Sequence, residues 1–197
     1  MINSNKHQKQ NSLLKITIEM IVIVVIILLF GKLLKKTEDT YYKSAYPIKY
    51  ESTVLQYAKE FKIPQALVFA VIKNESSFNP EAVSSIGAIG LMQITEDTFD
   101  FIKFRLKDVS SIVYEDLFDP TLNIKYGTAL LGILYKEFKT YRNVLCAYHA
   151  GWGSVKKWLA DSQYAPDGKT IETIPFDDTA IYVERVLTAF EMYEKIY

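Results

Sequence analysis

The sequence predicts a mostly α-helical fold preceded by one N-terminal transmembrane helix. Three observations carry that prediction. Apolar residues recur at helical spacing in one segment after another between residues 50 and 197. Prolines and capping residues sit at the starts and ends of those segments. Residues 13–34 are almost wholly apolar, in contrast to everything after them.

That first stretch runs from Leu13 to Leu34, and Met20–Phe30 carries no charge. Only Lys15, Glu19 and Lys32 interrupt the wider window. A spanning helix needs roughly 20 mainly apolar residues, which this window supplies with Glu19 near a headgroup layer. No small-residue cleavage pattern follows; the next residues are Gly31-Lys32-Leu33-Leu34-Lys35-Lys36, so the segment reads as an uncleaved anchor. Lys6, Lys9 and Lys15 before the run are nearly balanced by Lys32, Lys35 and Lys36 after it, a slight bias towards an inside N-terminus. Residues 1–36 are thus a tip and anchor, 37–49 a polar, tyrosine-rich tether broken by Pro47, and 50–197 one domain.

The 23 basic and 23 acidic residues cancel overall, but 1–36 holds six Lys and one Glu, leaving 17 basic and 22 acidic residues beyond it. No basic patch suggests a nucleic-acid partner. Cys146 is the only cysteine, which excludes an intrachain disulfide; within its apolar run it reads as a small buried hydrophobe.

Within the domain, Val54, Leu55, Ala58 and Phe61 form a first helix that Ile63-Pro64 ends. Pro64 suits the first turn of the next, where Leu67, Val68, Ala70, Val71 and Ile72 are apolar on most sides and predict burial. That helix runs into Asn74-Glu75. Thr95 with Glu96, Asp97 and Thr98 reads as a helix start continuing through Phe104. Asp119-Pro120 is a cap followed by proline at the first helical position, opening a helix through Phe138. Val144–Tyr148 is a short apolar helix ending near Gly151, and Gly153–Leu159 begins another. Asp161–Phe176, with Pro166, Asp167-Gly168 and Pro175, is a loop with room for a small hairpin. Asp177–Tyr197 closes the chain as an amphipathic helix.

The chemistry concentrates in Glu75-Ser76-Ser77-Phe78-Asn79-Pro80, continuing to Gly87-Ala88-Ile89-Gly90-Leu91-Met92-Gln93-Ile94. One carboxylate follows a buried helix, then a proline turn, then a glycine-spaced loop ending in an amide. Burial against Phe69–Ile72 and the negative end of the helix dipole both favour the protonated form of Glu75. A carboxyl group that keeps its proton near neutral pH is suited to protonate a leaving oxygen.

This string resembles the lytic transglycosylases of the goose-lysozyme-like class, which cut the glycan strands of peptidoglycan. Ala147-Tyr148-His149-Ala150-Gly151, Ile174–Thr179 with Tyr182-Val183, and Leu117–Pro120 with Asn123-Ile124 and Gly127 extend the resemblance over roughly residues 50–195. It implies a lysozyme-like α-helical domain needing no cofactor or metal. It implies that Glu75 protonates the oxygen leaving the N-acetylmuramic acid anomeric carbon. Glu75 then takes the proton of the same sugar's C6 hydroxyl, giving a 1,6-anhydro end. An internal nucleophile has a very high effective concentration, so no second acid need activate water; Glu81, Glu96 and Asp97 are present, but none is singled out.

By the same resemblance, Ser76, Gly90, Leu91, Met92, Gln93, Tyr148, His149, Ala150 and Tyr182 bind substrate. Gln93 is expected to bond sugar or hold Glu75, Met92 to pack on the acid or a sugar face, and Ser76 to orient Glu75. Tyr182 is expected to hydrogen-bond near Glu75, and Tyr148 to line the cleft or meet a backbone partner. The family usually has Asn where His149 stands, and commonly Glu where Asp178 stands; Asn and neutral His both donate and accept hydrogen bonds. Trp152 and Trp158 read as core or cleft wall. Peptidoglycan glycan strands are the implied partner, reached from the outer face of the cell membrane, together with wall-synthesis, secretion or conjugation machinery. Two alternatives stay open: a goose-type lysozyme-like hydrolase with water as acceptor, and a non-catalytic glycan-binding scaffold.

Overall fold

The structure, a computed structural model, describes Met20, residues 26–38 and residues 40–197. Met20, 26–38 and 40–45 are helical, and Tyr46–Tyr197 forms a separate compact unit. Most of the expected anchor, residues 13–19 and 21–25, lies outside the described residues. Among the described residues no helix is long and apolar enough to cross a membrane. Ile26–Phe30, Leu33 and Leu34 are nonetheless exposed. Within the tether expected over 37–49, residues 37, 38 and 40–45 are helical. That stretch holds no glycine or proline, and Thr37 and Thr40 return hydroxyl bonds to Leu34 O and Lys36 O at 2.7 and 2.8 Å. The break comes at Tyr46, where Pro47 disfavours helical backbone in the residue before it. Pro47 O then accepts from Tyr193 Oη at 3.0 Å, so this piece of chain already packs on the last helix.

The helices of the second unit follow from caps and burial. Helix α1 (Glu51–Phe61) ends at left-handed Lys62, and α2 (Gln65–Ser76) follows Pro64, which stands one residue before the helix. Helix α3 (Glu96–Leu106) starts where Thr95 Oγ1 accepts from Thr98 N, and a short 3-10 helix covers Tyr114–Phe118. Helix α4 (Pro120–Phe138) has the expected cap: Asp119 Oδ1 accepts from Leu122 N at 2.9 Å, with proline at the first position. Helix α5 (Tyr141–Ala150) begins three residues earlier than its apolar run, because Thr140 Oγ1 accepts from Asn143 N at 3.2 Å. Helix α6 (Trp152–Leu159) and α7 (Asp177–Ile196) complete the unit.

Residues Ala66–Ile72 of α2 are all buried, so that helix is enclosed on every side. It packs mainly on α7; α4 is flanked by α1, α3 and α5, and α5 also meets α6 and α7. Burial pushes the Cys146 thiol in α5 up to about 12, as befits an inert core residue. The loop over Asp161–Phe176 contains turns and no hairpin. Asn143 secures it from the core instead, donating to Lys169 O at 2.7 Å and accepting from Ile171 N at 3.0 Å. Among the described residues the β-structure is two isolated bridges, Val83 with Ile89 and Ile89 with Ile94. These pinch the loop that follows α2 into a compact flap.

Candidate active site

Glu75 stands in the last turn of α2. Ser77 (φ 52°) and Phe78 (φ 64°) are left-handed, so the chain turns sharply just beyond the acid. Such backbone is rare and costly outside glycine, and it persists here because Phe78 is buried against Phe69. The flap, residues 79–95, returns beside Glu75. Asn123 on α4 holds it: its Oδ1 accepts from Met92 N at 2.8 Å, and its Nδ2 donates to Ile89 O at 3.1 Å and Leu117 O at 2.8 Å. Gly90 (φ +75°) allows that approach, since a Cβ there would lie 2.7 Å from Leu117 O and collide with the Asn123 amide. Tyr114 donates to Ile94 O at 2.9 Å from the opposite side.

A cleft of about 660 Å³ opens over this floor. Glu75, Gln93, Tyr148, His149 and Ala150 line it, joined by Ser84–Ile86 of the flap and Asp178 at the start of α7. The volume falls within the usual range for ligand sites, roughly 300–1,000 Å³. Tyr182 Oη donates to Glu75 Oε1 at 2.6 Å. Burial pushes the Glu75 carboxyl up to about 7, and the Tyr182 bond offsets only part of that rise. Burial and then the Glu75 charge raise both Tyr148 and Tyr182 well above the usual phenol value, so both hydroxyls remain donors. His149 stacks on Tyr182, ring centroids 4.5 Å apart, with Nδ1 3.0 Å from Thr179 Oγ1. Partial burial lowers its pKa, with Asp178 opposing, which favours neutral imidazole. Among the described residues no cluster of His, Cys, Asp and Glu is arranged to hold a metal.

Several residues expected to touch substrate lie behind the cleft rather than in it. Ser76 Oγ donates to Leu91 O at 2.8 Å and Ile72 O at 3.2 Å, tying the flap to α2 and not orienting Glu75. Leu91 and Met92 are fully buried, with Met92 against Gly127 of α4, because Asn123 draws this segment inward. Gly90 is buried too. Gln93 lines the cleft, but its Nε2 bonds Ala82 O and Gly90 O at 3.0 and 2.9 Å, bracing the flap and not Glu75. Tyr148 both lines the cleft and donates to Met92 O at 2.6 Å. Tyr182 stands behind the acid as its hydrogen-bond partner.

Asn123, Thr179 and Tyr114 were not expected at the site. Asn123 belongs to the matched positions Leu117–Pro120, Asn123-Ile124 and Gly127, which read as scaffold; it is fully buried in α4. Thr179, 1% exposed and 3.0 Å from His149 Nδ1, closes the matched run Ile174–Thr179, which gives it no role of its own.

The sequence pattern of the transglycosylase SLT domain matches residues 52–171, more than half of the chain. This chain belongs to the SLT-domain family. The SLT domain here is 34% identical to soluble lytic murein transglycosylase of Escherichia coli (strain K12) over 171 residues, 85% of this chain and 25% of that one. It is 39% identical to membrane-bound lytic murein transglycosylase C of Yersinia enterocolitica over 116 residues, covering 54% and 32% of the two chains. The chain therefore spans between a quarter and a third of the length of these relatives. In structure it is similar to the 70-kDa soluble lytic transglycosylase in complex with bulgecin A, with a TM-score of 0.71 at 32% identity over 78% of this chain and 25% of that one. An inactive Glu-to-Gln mutant of lytic transglycosylase Slt from Pseudomonas aeruginosa gives 0.68 at 32% identity, over 76% and 24%. The SLT domain thus has the mostly helical, lysozyme-like fold of these structures.

Proposed function

We propose that the SLT domain cleaves the β-1,4 bond between N-acetylmuramic acid and N-acetylglucosamine in peptidoglycan, leaving a 1,6-anhydro end. The observation that carries this reading is the Glu75 carboxyl, half-buried in a cleft and holding its proton to about pH 7. Glu75 gives that proton to the departing oxygen as the glycosidic bond breaks. The C6 hydroxyl of the muramic acid sugar bonds to its own anomeric carbon, and its proton returns to Glu75. Atoms balance without water, and one carboxyl serves as acid and then base. The other carboxylate lining the cleft, Asp178, is engaged by Thr179 N at 2.8 Å and is itself exposed. The inactive Glu-to-Gln mutant among the related structures also supports an acid in this role. Mass spectrometry of muropeptides released by the protein tests the reading. Anhydro ends are expected; reducing ends, heavier by one water, would establish the hydrolase instead, and no cleavage at all would leave a glycan-binding scaffold.

Tyr182→Phe is expected to keep the protein active but about tenfold slower. Its hydroxyl stabilises the Glu75 carboxylate and fixes its orientation. Losing that bond raises the Glu75 pKa further, so the alkaline limb of the pH–rate profile should move up. A limb that stays in place or moves down would show that Tyr182 does not act on Glu75.

We further propose that residues 1–36 anchor the protein in the cell membrane, with the N-terminus inside and the SLT domain outside, beside wall-synthesis, secretion or conjugation machinery. The uncharged run Met20–Phe30 and the exposed apolar side chains from Ile26 to Leu34 support this. Membrane fractionation tests it: the full chain should resist salt and carbonate extraction and need detergent. Release by salt alone would sink the anchor.

A further inference from the structure

His149 is held on two sides. Its ring stacks on Tyr182, and its Nδ1 lies 3.0 Å from Thr179 Oγ1. The other ring nitrogen, Nε2, has no partner among the described residues, where Thr128 Oγ1 is the one buried side-chain nitrogen or oxygen left unpaired. Nε2 therefore reaches solvent, and the opening that His149 lines is the cleft. Thr179 is almost fully buried, so its hydroxyl proton has no water to meet. Thr179 Oγ1 makes no second hydrogen bond among the described residues, and Nδ1 is the one acceptor in reach. A buried hydroxyl proton without an acceptor is costly, so Thr179 donates and Nδ1 accepts. A neutral imidazole that accepts at Nδ1 carries its proton at Nε2.

We propose that Thr179 locks His149 as a neutral donor whose Nε2–H reads an acceptor oxygen of the bound glycan. The inference rests on the glycan-cleaving reading and adds to it a positioning residue, Thr179, and a rule for what His149 recognises. The opposite tautomer strands the Thr179 proton and is expected to be rarer by about tenfold or more. Protonating the ring strands it too, because Nδ1 then becomes a donor. The lock thus opposes the imidazolium in the same sense as burial, and against the pull of Asp178. The Asn usual at this position in the family offers both a donor and an acceptor. The locked ring offers one polarity only. It fits a carbonyl, ether or hydroxyl oxygen that accepts, whereas an N–H in the same place meets a second donor and both stay unpaired. Stacking on Tyr182, whose hydroxyl bonds Glu75, fixes this donor relative to the acid.

Nitrogen NMR of the full chain, labelled at histidine, tests the lock without substrate. At about pH 8, above the usual histidine value of about 6.5, Nε2 should show the shift of a protonated ring nitrogen and Nδ1 that of a bare one. His149→Phe separates these signals from those of His7, the other histidine. Thr179→Val keeps the shape and removes the proton, and should return the ring to a mixture of both tautomers; Thr179→Ser should restore the single form. Binding of the N-acetylglucosamine trimer is then measured in the full chain carrying Glu75→Gln, so that turnover does not intervene. The trimer should move the Nε2 resonance and leave Nδ1 in place. Thr179→Val should weaken binding about threefold and His149→Phe, which keeps the ring stack, about fivefold. Thr179→Val added to His149→Phe should cost nothing further, because Thr179 acts only through the ring. Mixed tautomers in the unaltered chain, an Nε2 that ignores the trimer, or a Thr179→Val penalty as large in the His149→Phe chain as in its parent would each overturn the proposal. Anhydro ends from a chain whose Nε2 ignores the trimer would refute the lock alone. A locked chain that binds the trimer through Nε2 but cuts nothing would refute only the cleavage reading.

Discussion

Glu75→Gln is expected to lower glycan cleavage by at least about 10³-fold, since a positioned acid–base group supplies roughly 10² to 10⁴ and here one group does both steps. The same substitution should stabilise the fold at alkaline pH. The Glu75 carboxyl has a folded value of about 7 against an ordinary 4.5. Below pH 4.5 both folded and unfolded chains hold the proton, and wild type and variant should unfold alike. Between 4.5 and 7 the unfolded chain releases a proton that the folded chain keeps, so wild-type stability falls as pH rises. Above 7 the loss is complete. Glutamine never ionises, keeps an oxygen for Tyr182 and escapes this cost. An advantage of about 3 kcal/mol at pH 8 follows, or about 6–12 °C in Tm. Melting curves at pH 4 and pH 8 for both proteins check it. A Tm difference that does not change with pH would show that Glu75 ionises normally, and clearing of cell walls at wild-type rate would end the single-acid mechanism.

Asn123→Ala is expected to be the most damaging change outside the acid itself. It strands the Met92 N–H and the Leu117 carbonyl, and it takes one of two donors from the Ile89 carbonyl, which keeps Ile94 N. A buried group left unpaired costs about 1–3 kcal/mol and two are left so, and about 3–5 kcal/mol in total is expected. The Tm should fall by about 10 °C. Activity should drop about tenfold or more even where the protein is folded, because Gln93 and the flap lose their support. Hydrogen exchange gives the sharper check: the Met92 amide should exchange far faster in the variant. Unchanged protection at Met92 would mean that the flap is held elsewhere.

What could be read in advance was what local chemistry decides. Asp119-Pro120 announces a helix start through its own side chain and ring, and α4 begins there. The start of α5 was missed because its first turn, Tyr141-Arg142-Asn143, is polar enough to hide the apolar period, although Thr140 was a usable cap. The partners of Ser76 and Gln93 are carbonyls brought near by the folding of the flap, and no spacing in the sequence reports which carbonyl arrives. The helical backbone of residues 40–45 has no apolar period to announce it, and no glycine or proline in that stretch breaks it before Pro47.

The acid and the hydroxyl that orients it are 107 residues apart, on α2 and α7. A ribosome that has delivered Glu75 has therefore not yet delivered Tyr182, and the cleft still lacks the wall that Asp178 provides. Every nascent chain passes through a stage in which most of the domain exists and the pair does not. The proposed glycan cleavage thereby waits until α7 docks, a delay written into the order of synthesis and needing no inhibitor.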